Sequence, residues 1–138
     1  MASVLKVDEV KGVASAGVIT ITGEGGTGTQ SLQQGLAKAW IQHDATNSDA
    51  IGDSLNHSSL TDNGTGDYTY VIAAAYSNAN YALSQFSQQD TAGGLRCGSG
   101  IGTPTTTDRR IDWKKQAAGT TTNSDNSHNQ LTWHGDLA

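Results

Sequence analysis

One stretch constrains the fold more than any other, Gly35 to Tyr70, which reads GLAKAWIQHDATNSDAIGDSLNHSSLTDNGTGDYTY. Side chains alternate across an extended strand, so Ala37, Ala39, Ile41 and His43 share one face and Lys38, Trp40 and Gln42 the other. Ile51, Asp53, Leu55, His57 and Ser59 alternate in the same way, which predicts a second strand with those five on one side. Asn63-Gly64 then precedes the β-rich run Tyr68-Thr69-Tyr70-Val71-Ile72. Asn-Gly supplies the positive φ values of a tight hairpin, so the runs on either side of it are expected to pair antiparallel. Together these signals predict a β-meander.

The rest of the chain carries further strand signals and little else. Val18-Ile19-Thr20-Ile21-Thr22 is an uninterrupted β-branched run. Val4 to Glu9, Tyr81 to Gln85, Arg110 to Lys114 and Asn129 to His134 read as further strands, with Ile111 and Trp113 on one face and Leu131 and Trp133 on another. Ser31 to Gln34 is the best candidate for a helical turn, and no segment keeps a helical apolar period over several turns. Glu24 to Thr29 reads as a flexible linker, Ser87 to Gly102 as a long loop, or a loop with one weak strand near Leu95, and Ala117 to Ser127 as a turn or exposed tip. The expectation is an all-β, antiparallel sandwich or jelly-roll-like module over 31–138, preceded by a small β segment over 1–30.

Composition bears on how such a module could be stable. Only 15% of the 138 residues are charged, Gly reaches 17, and aliphatic side chains are few. Low hydrophobicity can mean disorder, but the strand periodicity and the three Trp and four Tyr argue for folding. Part of the burial is then expected to come from copies of the same chain. A net charge of −5, with no basic stripe beyond Arg109-Arg110 and Lys114-Lys115, argues against nucleic acid as a partner. No apolar run is long enough to cross a membrane, and no secretory signal pattern opens the chain. Cys97 is the single cysteine, compatible with synthesis in a reducing cytoplasm.

Gly35-Leu36-Ala37-Lys38-Ala39-Trp40, Asp53-Ser54-Leu55-Asn56, Ser58-Ser59-Leu60 and the run Thr61 to Thr69 carry a resemblance. They are similar to a module of tail-fibre and appendage proteins of tailed bacteriophages, marine ones especially. Ser3 to Val10 resembles the opening of many such fibres, and Trp133-His134-Gly135-Asp136-Leu137 their closing segment. The chain departs from that pattern at Ala45-Thr46-Asn47-Ser48, where a glycine-containing turn is usual, and at His57, where an apolar residue is usual. The resemblance implies a virion structural protein, made in the host cytoplasm, usually a homotrimer, and often in contact with the host surface. It implies attachment to other virion proteins through the N-terminal segment, and it brings no catalytic residue.

Candidate sites follow from residue chemistry within that frame. Glu9 and Glu24 are the only glutamates, so a glycosidase pair would have to come from aspartates. Asp62 and Asp67 flank the expected turn, where a backbone-bonding role is favoured. Asp53, on the expected inward side of a strand, would need a structural partner. No G-x-S-x-G elbow and no zinc spacing occur, so neither an enzyme nor a metal site is expected, and no cofactor. The glycines of Gly25-Gly26-Thr27-Gly28 lack the Gly-Lys-Ser/Thr of a phosphate loop. Ile51, Leu55 and His57 are the candidate trimer seam, where three His57 imidazoles could meet or each could hydrogen-bond at a subunit boundary. Trp113 as a stacking ring, with Asn123, Asp125 and Asn126 on a polar tip, is the candidate contact for a host-surface glycan. The alternative reading is a stand-alone carbohydrate-binding module, and a polysaccharide depolymerase is weaker still.

Overall fold

The computed structural model describes residues 6–11, 19–23, 25–88 and 94–138. The chain divides into two units, Met1–Leu36 and Ala37–Ala138. In the first, β1 (Thr20–Thr22) pairs antiparallel with β2 (Thr29–Ser31). The glycines expected to form a linker instead close this hairpin: Gly23 N–H donates to the Gly28 carbonyl at 2.8 Å and Gly26 N–H to the Gly23 carbonyl at 2.9 Å. The short helix α1 (Leu32–Gly35) follows, with Ser31 as its N-cap, so the expected helical turn is present. Residues 6–11 are exposed and form no strand, and Met1–Leu5 and Val18 lie outside the described residues.

The second unit is the antiparallel β-sandwich expected from the alternation. One sheet has the order β4-β3-β11-β7, formed by β3 (Ala39–Asp44), β4 (Ala50–Leu55), β7 (Ala82–Ser87) and β11 (Asn129–His134). The other contains β5 (His57–Gly64), β6 (Asp67–Ile72), β8 (Leu95–Ile101), β9 (Asp108–Ala117) and β10 (Thr120–Asn123). β9 is its spine. β8 runs along one edge of β9, while β6 opposes Asp108–Asp112 and β10 opposes Lys114–Ala117. The change of partner falls at Trp113, whose N–H donates to the Gly66 carbonyl (2.6 Å) and whose carbonyl accepts from Ser124 N–H (3.0 Å).

The predicted meander is corrected to two hairpins, one in each sheet. β3–β4 and β5–β6 are joined at Asn56, whose φ of 54° turns the chain from one sheet to the other. The Asn56 amide donates to the Lys38 and Ala74 carbonyls, and its Oδ1 accepts from Ala74 N–H. An Asn tolerates this left-handed conformation and satisfies backbone groups as it does so. Ile51, Asp53 and Leu55 therefore belong to a different sheet from His57 and Ser59. The β5–β6 hairpin forms where it was expected, but the positive φ values fall on Gly64 (126°) and Gly66 (69°) rather than on Asn63. Asp62 Oδ1 holds the turn by accepting from Gly64 N–H at 2.7 Å.

Two segments read as irregular are strands. β8 lies inside the expected loop, at the place of the weak strand expected near Leu95 and longer than it. Its glycines sit where backbone comes close to side chains: a Cβ on Gly98 would lie 2.9 Å from the Trp113 ring. β9 and β10 form a hairpin through Ala118 and Gly119, both at positive φ (50° and 79°).

The core lies between the sheets and obeys the period of two. Ala39 and Ile41 face it from β3, Tyr68, Tyr70 and Ile72 from β6, Ile111 and Trp113 from β9, and Leu131 and Trp133 from β11, with Tyr76 closing one end. Five of these ten residues are aromatic. Each fully buried large side chain stabilises by about 1.5–3 kcal/mol, so few residues fill a sandwich of this size.

Candidate functional site

At one end of the sandwich the core becomes polar. His43 continues the inward face of β3 and is fully buried. Its Nδ1 lies 3.0 Å from the Tyr70 hydroxyl, which also accepts from Trp113 Nε1–H at 2.8 Å. Its Nε2 lies 3.5 Å from Asp49 Oδ1. A neutral imidazole protonated at Nε2 fits the first two contacts, Trp113 donating to Tyr70 and Tyr70 to Nδ1, while the buried Nε2 lies near Asp49 without forming a hydrogen bond. Burial holds His43 below its ordinary pKa, and Asp49 opposes that shift without reversing it. The Tyr68 ring stands edge-on to His43 with centroids 4.6 Å apart. Burial and the hydrogen bond to Asp125 push the Tyr68 phenol far above its ordinary range, and burial, with the Trp113 hydrogen bond opposing and the Asp49 charge adding, raises Tyr70 strongly.

Above this network the segment 124–127 is fixed from several directions. Asp125 Oδ1 accepts from Gly66 N–H (2.7 Å) and from the Tyr68 hydroxyl (3.0 Å). The Asn126 carbonyl accepts from Ala45 N–H (3.0 Å) and from the Asn129 amide (3.2 Å). Arg96, from β8, donates through Nη1 to Ser124 Oγ and to Asn126 Oδ1. Thr46, Gln88, Arg96, Asp125, Asn126 and Ser127 line a pocket of about 270 Å³ over these bonds.

The structure brings together two of the four expected glycan contacts, Asp125 and Asn126. Asn123 is exposed on β10, with its amide 3.5 Å from Asp112, and does not line the pocket. Trp113 is corrected to a core residue: it is wholly buried between the sheets and presents no ring to a ligand. Arg96, Thr46, Gln88 and Ser127 were not visible as site residues. Arg96 sits in a glycine-rich run without alternation, and only the pairing of β8 with β9 places it beside Asn126.

The remaining candidates resolve into structural roles. Asp53 is exposed, not inward, and its Oδ1 accepts from Ser54 N–H. Asp67 pairs with Arg110 across β6 and β9, which lowers its pKa through that hydrogen bond. Ile51 and Leu55 are 41% and 48% exposed on β4, an edge strand. His57 opens β5, half-buried, with burial lowering its pKa. Among the described residues no three His, Cys, Asp or Glu gather as metal ligands, and no helix is long and apolar enough to cross a membrane. The arrangement can hold and orient a hydrogen-bonding ligand. Comparisons with protein-family models, with curated proteins and with solved structures find no match.

Proposed function

We propose that the chain is a structural subunit of a bacteriophage fibre or appendage, assembled as a homotrimer and contributing to host-surface attachment without catalysis. The observation that carries this reading is the likeness of Gly35–Tyr70, densest over Thr61–Tyr68, to appendage proteins of tailed phages. The geometry is compatible with it in one respect above all. β4 ends its sheet with an open edge and exposes Ile51 and Leu55, which gives a second copy both hydrogen-bonding groups and apolar surface to cover. Weak contacts from three chains then add through effective concentration.

A second reading, a carbohydrate-binding module acting as a single chain, is favoured by the complete core inside one copy. Light scattering of the undenatured protein separates them. A mass about three times the 14.3 kDa of one chain, reduced to one chain by Leu55→Lys, is expected for the trimer. A monomer at all concentrations overturns the trimeric appendage and leaves the single-chain module. Release of reducing sugar from a host polysaccharide would overturn both.

A further inference from the structure

We propose that the pocket between β8 and the 124–127 segment binds a single neutral sugar unit through a pair of adjacent hydroxyls. This rests on the host-attachment part of the proposed function and names the site and chemistry of that contact. The first observation is Asn126. It is 2% exposed, yet its side-chain Nδ2 has no hydrogen-bond partner. Its two oxygens are committed, Oδ1 to Arg96 and the backbone carbonyl to Ala45 and Asn129. Buried donors are nearly always satisfied, so an unpaired one on a residue that lines a pocket asks for an acceptor there.

Asp125 supplies the complementary half. Both of its hydrogen bonds fall on Oδ1, which leaves Oδ2 as an acceptor on the neighbouring residue. A hydroxyl gives one hydrogen and receives others, so one hydroxyl can accept from Asn126 Nδ2 while the next donates to Asp125 Oδ2. Adjacent hydroxyls with both capacities are the defining feature of a pyranose ring. Among the described residues the lining holds one guanidinium and one carboxylate, Arg96 and Asp125. An anionic ligand would face Asp125 and a cationic one Arg96, which selects for a neutral partner.

Size and rigidity agree with this choice. About 270 Å³ lies just under the range of about 300–1,000 Å³ for pockets that take drug-sized molecules, and suits one ring rather than a chain. Among the described residues no aromatic side chain lines the pocket, so recognition rests on hydrogen bonds to a ring edge. The two key side chains are already held by Gly66, Tyr68 and Arg96, so little ordering is required on binding.

The test is an amide NMR titration of the full chain with the methyl glycosides of glucose, galactose, mannose and N-acetylglucosamine. Sodium glucuronate and inorganic phosphate serve as anionic controls. Saturable shifts at millimolar concentration, confined to the Asn126 side-chain amide and the 124–127 backbone, are expected for at least one glycoside. Asp125→Asn keeps Oδ1 as an acceptor but replaces Oδ2 by a donor, and it should weaken that binding about tenfold. Should that variant fail to fold, Gln88→Ala combined with Ser127→Ala trims the wall without touching the bonds that fix Asp125 and Asn126, and it should also weaken binding. No saturable shift from any glycoside, shifts elsewhere on the surface, a response to phosphate or glucuronate alone, or full binding by the variants would each overturn the proposal. The solution mass of the same samples keeps the two readings apart. A trimer without pocket shifts overturns this inference alone, whereas a monomer with them overturns the trimeric appendage and supports the pocket.

Discussion

Removing one oxygen atom tests whether the polar end of the core stabilises the sandwich. Tyr70→Phe keeps the ring and its packing and deletes the hydroxyl that Trp113 Nε1 reaches at 2.8 Å and His43 Nδ1 at 3.0 Å. Both neighbours are fully buried, so neither can recover its hydrogen bond from solvent. A buried polar group left unpaired costs about 1–3 kcal/mol, and two of them place the loss at about 3–4 kcal/mol. For a domain with about 5–15 kcal/mol to lose, that is a large share of its stability. At a few degrees per kcal/mol, the melting midpoint should fall by about 10–20 °C. Urea unfolding followed by Trp fluorescence gives the free energy directly. Trp113→Phe removes the donor from the same chain, so the double variant should cost less than the sum of the two singles. A Tyr70→Phe protein within about 0.5 kcal/mol of the parent, or strict additivity in the cycle, would refute the network as a stabilising unit.

Three further outcomes follow from the same geometry. Gly66→Ala should be the most damaging glycine change, by about 3 kcal/mol or more, because its Cβ would lie 2.5 Å from the Trp113 carbonyl and 2.6 Å from Ser124 N at a φ of 69°. Gly98→Ala should lower stability by about 1–3 kcal/mol through overpacking against Trp113. Gly100→Ala meets only the end of the flexible Arg109 side chain and should cost less, as denaturant midpoints would show. Acid should weaken the fold through His43, which burial holds below its ordinary 6.5. The unfolded chain takes up that proton first, so stability is flat above pH 6.5 and declines between there and the lower folded value. Equilibrium unfolding at a series of pH values should show this slope, His43→Gln should flatten it, and His57, shifted the same way, should leave a remnant. In alkali all four tyrosines titrate late, with burial carrying Tyr76 up to about 12. Stability should fall as pH rises past 10, where the unfolded phenols ionise first, and tyrosinate absorbance should appear together with loss of structure.

The sandwich was legible wherever a strand buries one face and leaves the other in water. Ala39-Ile41-His43, Ile111-Trp113 and Leu131-Trp133 alternate because one side meets the opposite sheet, and the same period is visible in the bare sequence. β8 showed only as a weak strand near Leu95, because Gly98 and Gly100 remove the side chains that would carry the period. The crossing at Asn56 was hidden by a different cause. Residues 51–59 keep their alternation straight through a residue at positive φ, and one Asn side chain makes the turn possible without glycine. Asp125 and Asn126 stood out as a polar tip, but Arg96 enters from a strand some thirty residues away. Trp113 was misplaced because an aromatic on a strand reads alike whether its face meets a ligand or a second sheet.

The filled core also changes which observations bear on assembly. Few aliphatic side chains pointed to burial shared between copies, yet aromatic rings take the place of aliphatic ones, and among the described residues ten apolar ones are buried within one chain. The Tyr68 and Tyr70 hydroxyls are tied off by Asp125, His43 and the indole of Trp113, so these large rings enter the core hydrogen-bonded, whereas the buried Tyr76 hydroxyl has no partner. Thin apolar composition therefore gives no independent reason for a trimer. What remains is local: an open β4 edge with Ile51 and Leu55 exposed, in the sheet opposite the one that carries His57. A seam built on that edge would join copies strand to strand through β4. His57 lies across the Asn56 turn in the other sheet, so Leu55→Lys should disrupt association while His57→Gln leaves it intact. Loss of association in the His57 variant alone would move the seam to β5 and refute edge pairing.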